Sequence, residues 1–100
     1  MADKEVIWSN RANAELTEIL QFYIQRNKSN TYGLKLLEEI DSMIEKIVRH
    51  NFIGRLTKDG NARVVILKAY LIFYDIRPTE IHILSIWDSR QNPEKTPSSK

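Results

Sequence analysis

The sequence predicts an α+β domain in which a hairpin of two helices lies across a small antiparallel sheet, in the order β-α-α-β-β-β. Three observations carry that prediction. Apolar residues recur at three- and four-residue spacing through the first half of the chain. Three β-branched and aromatic runs crowd the second half. The 100 residues, 42% hydrophobic and 28% charged, suit one small domain and leave no room for a second. Residues 1–93 are expected to form it, with 94–100 a flexible tail carrying Pro97 among Ser and Thr. Folding at this size buries roughly 60 to 65% of the unfolded chain's surface, so a functional site is expected in a surface groove.

Glu5 to Trp8 is a short β-prone run, and Ser9-Asn10 supplies a helix N-cap. From Arg11 to about Arg26, Ala12, Leu16, Ile19, Leu20 and Tyr23 form one apolar stripe. Glu15 and Glu18 come early and Arg26 late, the order that suits the helix dipole. Lys28-Ser29-Asn30-Thr31 breaks the pattern. A second stripe of Leu36, Leu37, Ile40, Met43, Ile44, Ile47 and Val48 predicts a helix from about Tyr32 to His50-Asn51. The short connection makes the pair an antiparallel hairpin, and Gly33 is expected to leave its second helix frayed at the start.

After Gly54, a polar loop containing Gly60 and Asn61 leads into the runs Arg63–Leu67, Tyr70–Ile76 and Ile81–Trp87, read as three antiparallel strands. Arg77-Pro78-Thr79-Glu80 is a turn with proline at its second position. Lys68-Ala69 is the other turn, without the Gly or Asn that a tight hairpin favours. The middle run is apolar on both faces, as in a central strand. Helices cover one face only, so the other is expected to be partly open to a partner.

Composition excludes several chemistries. The longest apolar run, Ala69 to Tyr74, is six residues, against the ~20 that a membrane-spanning helix needs. The charged start, without the apolar stretch of a secretory signal, predicts a cytoplasmic protein. No cysteine is present, and His50 and His82 have no ligand spacing, so no metal site is expected. Ser42 and Ser85 lack a nucleophile elbow, and Gly33, Gly54 and Gly60 make no phosphate-binding motif. No cofactor is expected.

Charge is the remaining signal. Residues 1–50 hold seven Lys/Arg against eight Asp/Glu, a net −1, while 51–100 hold eight against five, a net +3. Arg55, Lys58, Arg63 and Lys68 face only Asp59 between Gly54 and Lys68. This favours an acidic or phosphate-bearing partner, with a solvated basic loop as the other reading. Arg55, Lys58, Arg63, Arg77 and Arg90 are the candidate phosphate- or target-binding residues. A guanidinium binds phosphate bidentately but is no general base near neutral pH, so anion recognition fits these residues better than bond cleavage. A meander brings Arg63 and Arg77 to one end of the sheet and leaves Arg90 at the other; surface ion pairing is the alternative for each. Trp8 and Trp87 suit packing across strands or stacking on a base. Tyr70 and Tyr74, four apart on one face, suit a groove wall or the core.

Taken in order, these residues resemble the RelE/ParE superfamily of toxins from bacterial type II toxin–antitoxin systems. The resemblance runs over residues 4–93: Ile7-Trp8-Ser9-Asn10-Arg11-Ala12 leading into Glu15-Leu16 and Ile19, then Tyr23, Arg63, Tyr70-Leu71-Ile72-Phe73-Tyr74 and Ile83 through Pro93. It implies a small toxin neutralised by a cognate antitoxin that wraps its helices and sheet face, with Tyr70, Tyr74 and Trp87 expected in that contact. It also implies one of two targets. RelE-like members cut mRNA on the ribosome with basic residues and commonly an acid/base group near the C-terminus, roles that fall here on Arg63, Arg90 and, approximately, Lys58. ParE-like members bind and inhibit DNA gyrase. No Tyr or His follows Arg90, which favours gyrase as the partner over the ribosome and mRNA. Plasmid stabilisation and growth inhibition are the roles that go with either.

Overall fold

Ser9 sets the first boundary of the chain. In the computed structural model, which describes residues 3–27 and 31–89, β1 (Glu5–Trp8) stops at Ser9 and α1 (Asn10–Asn27) begins. The Ser9 hydroxyl accepts the Ala12 N–H at 3.0 Å, satisfying one of the first-turn donors that a helix leaves unpaired. The second helix, α2 (Thr31–Arg49), buries Leu36, Ile40, Ile44 and Ile47 on one stripe and ends where the Asn51 amide donates to the Ile47 and Val48 carbonyls at 2.8 and 3.0 Å. Its first turn is formed, with Tyr32 stacked on Tyr23 of α1 at 4.5 Å between ring centroids. The expected break at Lys28-Ser29-Asn30, Arg90 and the tail 94–100 lie outside the described residues.

Four strands follow: β2 (Arg55–Leu56), β3 (Arg63–Leu67), β4 (Tyr70–Ile76) and β5 (Glu80–Asp88). The sheet order is β1-β5-β4-β3-β2, and β3, β4 and β5 form the antiparallel meander read from the sequence. Two features differ from that reading. β1 pairs parallel with β5, from Glu5 opposite Glu80 to Trp8 opposite Ile83, so the sheet is mixed rather than antiparallel throughout. β2 lies inside the stretch read as a polar loop; two residues are too few to show an alternating pattern. Lys68 makes the β3–β4 turn with φ of 57°, a backbone conformation that normally selects glycine or asparagine.

One layer of side chains joins helices to sheet. Ala12, Ile19 and Tyr23 from α1 and the α2 stripe meet Val65, Tyr70, Ile72, Tyr74, Ile81, Ile83 and Ile86. Each fully buried isoleucine there stabilises the fold by about 1.5–3 kcal/mol. The opposite face holds Val64 and Phe73, both buried, so its expected openness is confined to its outer part, where Ile66 is 57% exposed.

β5 carries a bulge. Its register with β4 passes from Phe73 opposite Ser85 to Tyr74 opposite Ile83, leaving Leu84 as the extra residue. Ser9 meets it, donating its N–H to the Ile83 carbonyl at 3.0 Å and its hydroxyl to the Leu84 carbonyl at 2.9 Å.

Candidate functional site

Of the basic candidates, Arg63 is built into the segment that leads from α2 into β2. Gly54 sits there under the Tyr74 ring, and a Cβ at this position would lie 2.9 Å from Tyr74 Cε1, Tyr74 Oη and the Val64 carbonyl oxygen. Only glycine fits so close an approach. The Tyr74 hydroxyl accepts the Gly54 N–H at 2.9 Å and donates to the Asn51 carbonyl at 2.7 Å. Arg63 completes the fastening: its Nη1 donates to the Gly54 carbonyl at 2.6 Å, and its guanidinium lies 4.8 Å from the Phe52 ring centroid. Burial raises the Tyr74 phenol above its ordinary pKa, while the Gly54 N–H and the Arg63 charge pull it back.

This arrangement spends its polar groups on the chain itself. Arg63 holds a backbone carbonyl, and Tyr74, with both hydrogen-bonding directions occupied, stays protonated at neutral pH. Neither is placed as a free acid or base. His82 bonds Glu80 at 2.7 Å on β5, and His50 is exposed just past α2.

The other cations divide between faces and ends of the sheet. Arg63 shares the helix-covered face with Tyr74, its cross-strand partner, whereas Arg55, opposite Val64, lies on the other face with Phe73. Arg77 is at the same end as Arg63, as expected, but its Nε is 2.6 Å from Asp75 Oδ2. Lys58 is exposed in the β2–β3 turn. Beside it the Thr57 hydroxyl donates to Asp59 at 2.6 Å and the Asn61 N–H at 3.0 Å; these bonds hold the Asp59 carboxyl below its ordinary pKa. Lys68 pairs with Glu39 at 2.9 Å, which raises its pKa. Among the described residues, Arg55 and Lys58 are the cations of the basic stretch without a protein partner.

The aromatic candidates are placed differently from expectation. Tyr70 and Tyr74 are 2% and 0% exposed, and Tyr70 donates to the Tyr23 hydroxyl at 2.7 Å. Their rings belong to the core of the free chain, where an antitoxin contact was expected of them: β4 is central, and its even positions all point under the helices. Trp87 is half-buried beside a hollow of about 240 Å³ lined by Glu15, Glu18, Ile19, Phe22, Ile86 and Asp88. Glu15 was read only as a helix charge. It instead accepts the Ser85 hydroxyl at 2.7 Å and the Ile86 N–H at 3.1 Å on one oxygen, and Arg11 on the other. The signal for it is a carboxylate on the helix stripe, one position before Leu16.

Two helices packed on a five-strand mixed sheet are the arrangement of the RelE/ParE-like fold. The sequence matches, over residues 6–93, the family described as ParE toxin of type II toxin-antitoxin system, parDE, and the chain belongs to that family. Among solved structures, the chromosomal ParDE system from P. aeruginosa is similar with a TM-score of 0.70 and 22% identity, covering 83% of this chain and 92% of the other, a likeness of fold. TrmO from P. aeruginosa aligns at a TM-score of 0.49 and 17% identity, covering 86% of this chain and 34% of the other, too distant to carry an argument. No curated protein matches the sequence at a significant level. Among the described residues, no helix is long and apolar enough to cross a membrane, and no group of His, Asp and Glu is arranged to hold a metal ion.

Proposed function

We propose that this member of the ParE toxin family acts in the cytoplasm by binding and inhibiting DNA gyrase, and that a cognate antitoxin neutralises it. The observation that carries the reading is the commitment of Arg63 and Tyr74 to the Asn51–Gly54 backbone. Cleaving RNA at a 2′-hydroxyl calls for a group that takes a proton and another that gives one, within hydrogen-bond reach of the reacting atoms. The cation and the phenol nearest the basic entry serve the fold instead, which favours action by binding.

The purified toxin, freed of antitoxin, is expected to block gyrase supercoiling at near-stoichiometric concentration and to leave ribosome-bound mRNA intact. Codon-specific mRNA cleavage would replace this reading with the RelE-like one. Arg63→Ala is expected to lower thermal stability on either reading, through the loss of the Gly54 contact, and to slow mRNA cleavage only on the RelE-like one.

A further inference from the structure

β2 pairs with only two residues of β3, Val64 and Arg63, because the chain leaves the sheet plane at Gly54, where Tyr74 draws it toward α2. Leu67 and Tyr70 flank a two-residue turn, so Arg63, Val65 and Leu67 direct their backbone bonds toward β4, and Val64 and Ile66 direct theirs outward. Val64 meets Arg55. Among the described residues Ile66 meets no strand, so its N–H and C=O stand on an unpaired edge there, with its side chain 57% exposed.

Three further features make this edge a site. On the sheet's open face, Arg55 lies diagonally beside Ile66, without a partner among the described residues. On the helix side, a groove of about 370 Å³ opens between α2 and the end of β3, with Met43 and Leu67 among its walls. Asp59 is engaged within its own turn and Glu39 with Lys68; Glu38 on the groove wall stands against Lys35 and Lys46, so with Arg55 and Lys58 the surplus charge beside the edge is positive.

We propose that the outer edge of β3 at Val65–Leu67 receives an extended, acidic segment of the toxin's target protein as an added strand. Its backbone bonds Ile66, one apolar side chain enters the Met43–Leu67 groove, and a carboxylate on the other face meets Arg55. The identity of the target as gyrase rests on the reading above; the site rests on this geometry. A second copy of the chain is a poor occupant, because pairing two such edges sets Arg55 and Lys58 of both copies against each other. Nucleic acid fits less well, since a bare strand edge and an exposed isoleucine offer it nothing. Of the other exposed apolar residues, Phe22, Ile24, Tyr32 and Leu34 are helical, so their backbone has no free edge to give an incoming strand, while Phe52, Ile53 and Leu56 lie along the chain that enters and forms β2.

The test uses the full-length chain with Ile66→Lys and, separately, Arg55→Glu, both exposed positions. For each variant, melting temperature, antitoxin binding, growth arrest and inhibition of gyrase supercoiling are measured. The expected result is at least a tenfold loss of inhibition and of growth arrest in both variants, with melting temperature and antitoxin binding unchanged. Variants that inhibit like the wild type overturn the site and leave the gyrase reading intact. Loss of antitoxin binding with inhibition retained also overturns it, by assigning the edge to the antitoxin. If the wild type itself fails to inhibit gyrase, that reading falls and growth arrest decides: variants that still arrest growth overturn the site, and variants that do not, with antitoxin binding retained, support it for another protein target.

Discussion

Two strands of this sheet run on past the end of a shorter neighbour, and they are finished in opposite ways. β5 continues beyond Trp8, and the resulting edge is occupied: Ser9 takes the Ile83 and Leu84 carbonyls, and Glu15 takes the Ile86 N–H. β3 continues beyond Arg55, and there the backbone of Ile66 has no partner among the described residues. An uncovered strand edge invites unwanted pairing, and natural proteins usually blunt it with charge, proline or a covering element. Covering one edge with a helix carboxylate while leaving the other bare beside unpaired cations separates a structural edge from a binding one.

Glu15→Ala should break the contrast most strongly. It strands the Ile86 N–H and the Ser85 hydroxyl at a position where the carboxylate side chain is only 20% exposed, so a loss of about 2–3 kcal/mol in urea unfolding is expected. Native-state hydrogen exchange reads the same change locally. The Ile86 amide should be protected in the wild type and fast in the variant, while Ile66 is fast in both. A loss below about 1 kcal/mol, with Ile86 still protected, would show that water substitutes for the carboxylate.

Tyr74→Phe should have a smaller effect, about 1–2 kcal/mol, since the bonds it removes, from the Gly54 N–H and to the Asn51 carbonyl, join neutral groups rather than a carboxylate. It also carries a pH signature. Burial raises the phenol's pKa above its ordinary 10.0, so above that pH the unfolded chain releases the proton while the folded chain retains it. Stability contributed in this way is complete below pH 10.0 and falls as pH rises toward the folded-state value. The stability curve of Tyr74→Phe should therefore fall less steeply than that of the wild type above pH 10.0, and equal slopes would remove Tyr74 as the cause.

The smallest effect belongs to the turn that both edges leave untouched. Lys68→Gly relieves a left-handed backbone worth roughly 1 kcal/mol and loses an exposed ion pair with Glu39 worth roughly 0–1 kcal/mol. A net gain of about 0.5 kcal/mol is expected, with Ile66 and Ile86 exchange unchanged. A net loss would make the ion pair the larger contribution.

The helices and the meander were legible because their signals are periodic. The stripe from Leu36 to Ile47 and the β-branched runs from Arg63 onward state their burial directly in the spacing. The ends at Ser9 and Asn51 were legible for a related reason, since capping residues act within four positions. What was not legible depends on distant partners. Nothing in Glu5–Trp8 names β5 as its neighbour, and Arg55-Leu56 is too short to announce a strand. Arg63 was identified as important from its place in the chain, yet its bond to Gly54 requires the fold. Tyr70 and Tyr74 were placed on one face correctly; that this face is the sealed one follows only from which side the helices cover.

The parallel pairing of β1 with β5 has a consequence for synthesis. Glu5 finds Glu80 and Ser9 finds Ile83 across more than seventy positions, so β5, the strand that joins β1 to β4, is the last of the described strands to leave the ribosome. Contacts of such long sequence separation form late and slow folding. A nascent chain stopped before Ile81 has an N-terminal strand with no neighbour and a fourth strand with one side bare. A fragment that stops before β5 is therefore expected to lack both the partner of β1 and the cover on one side of β4.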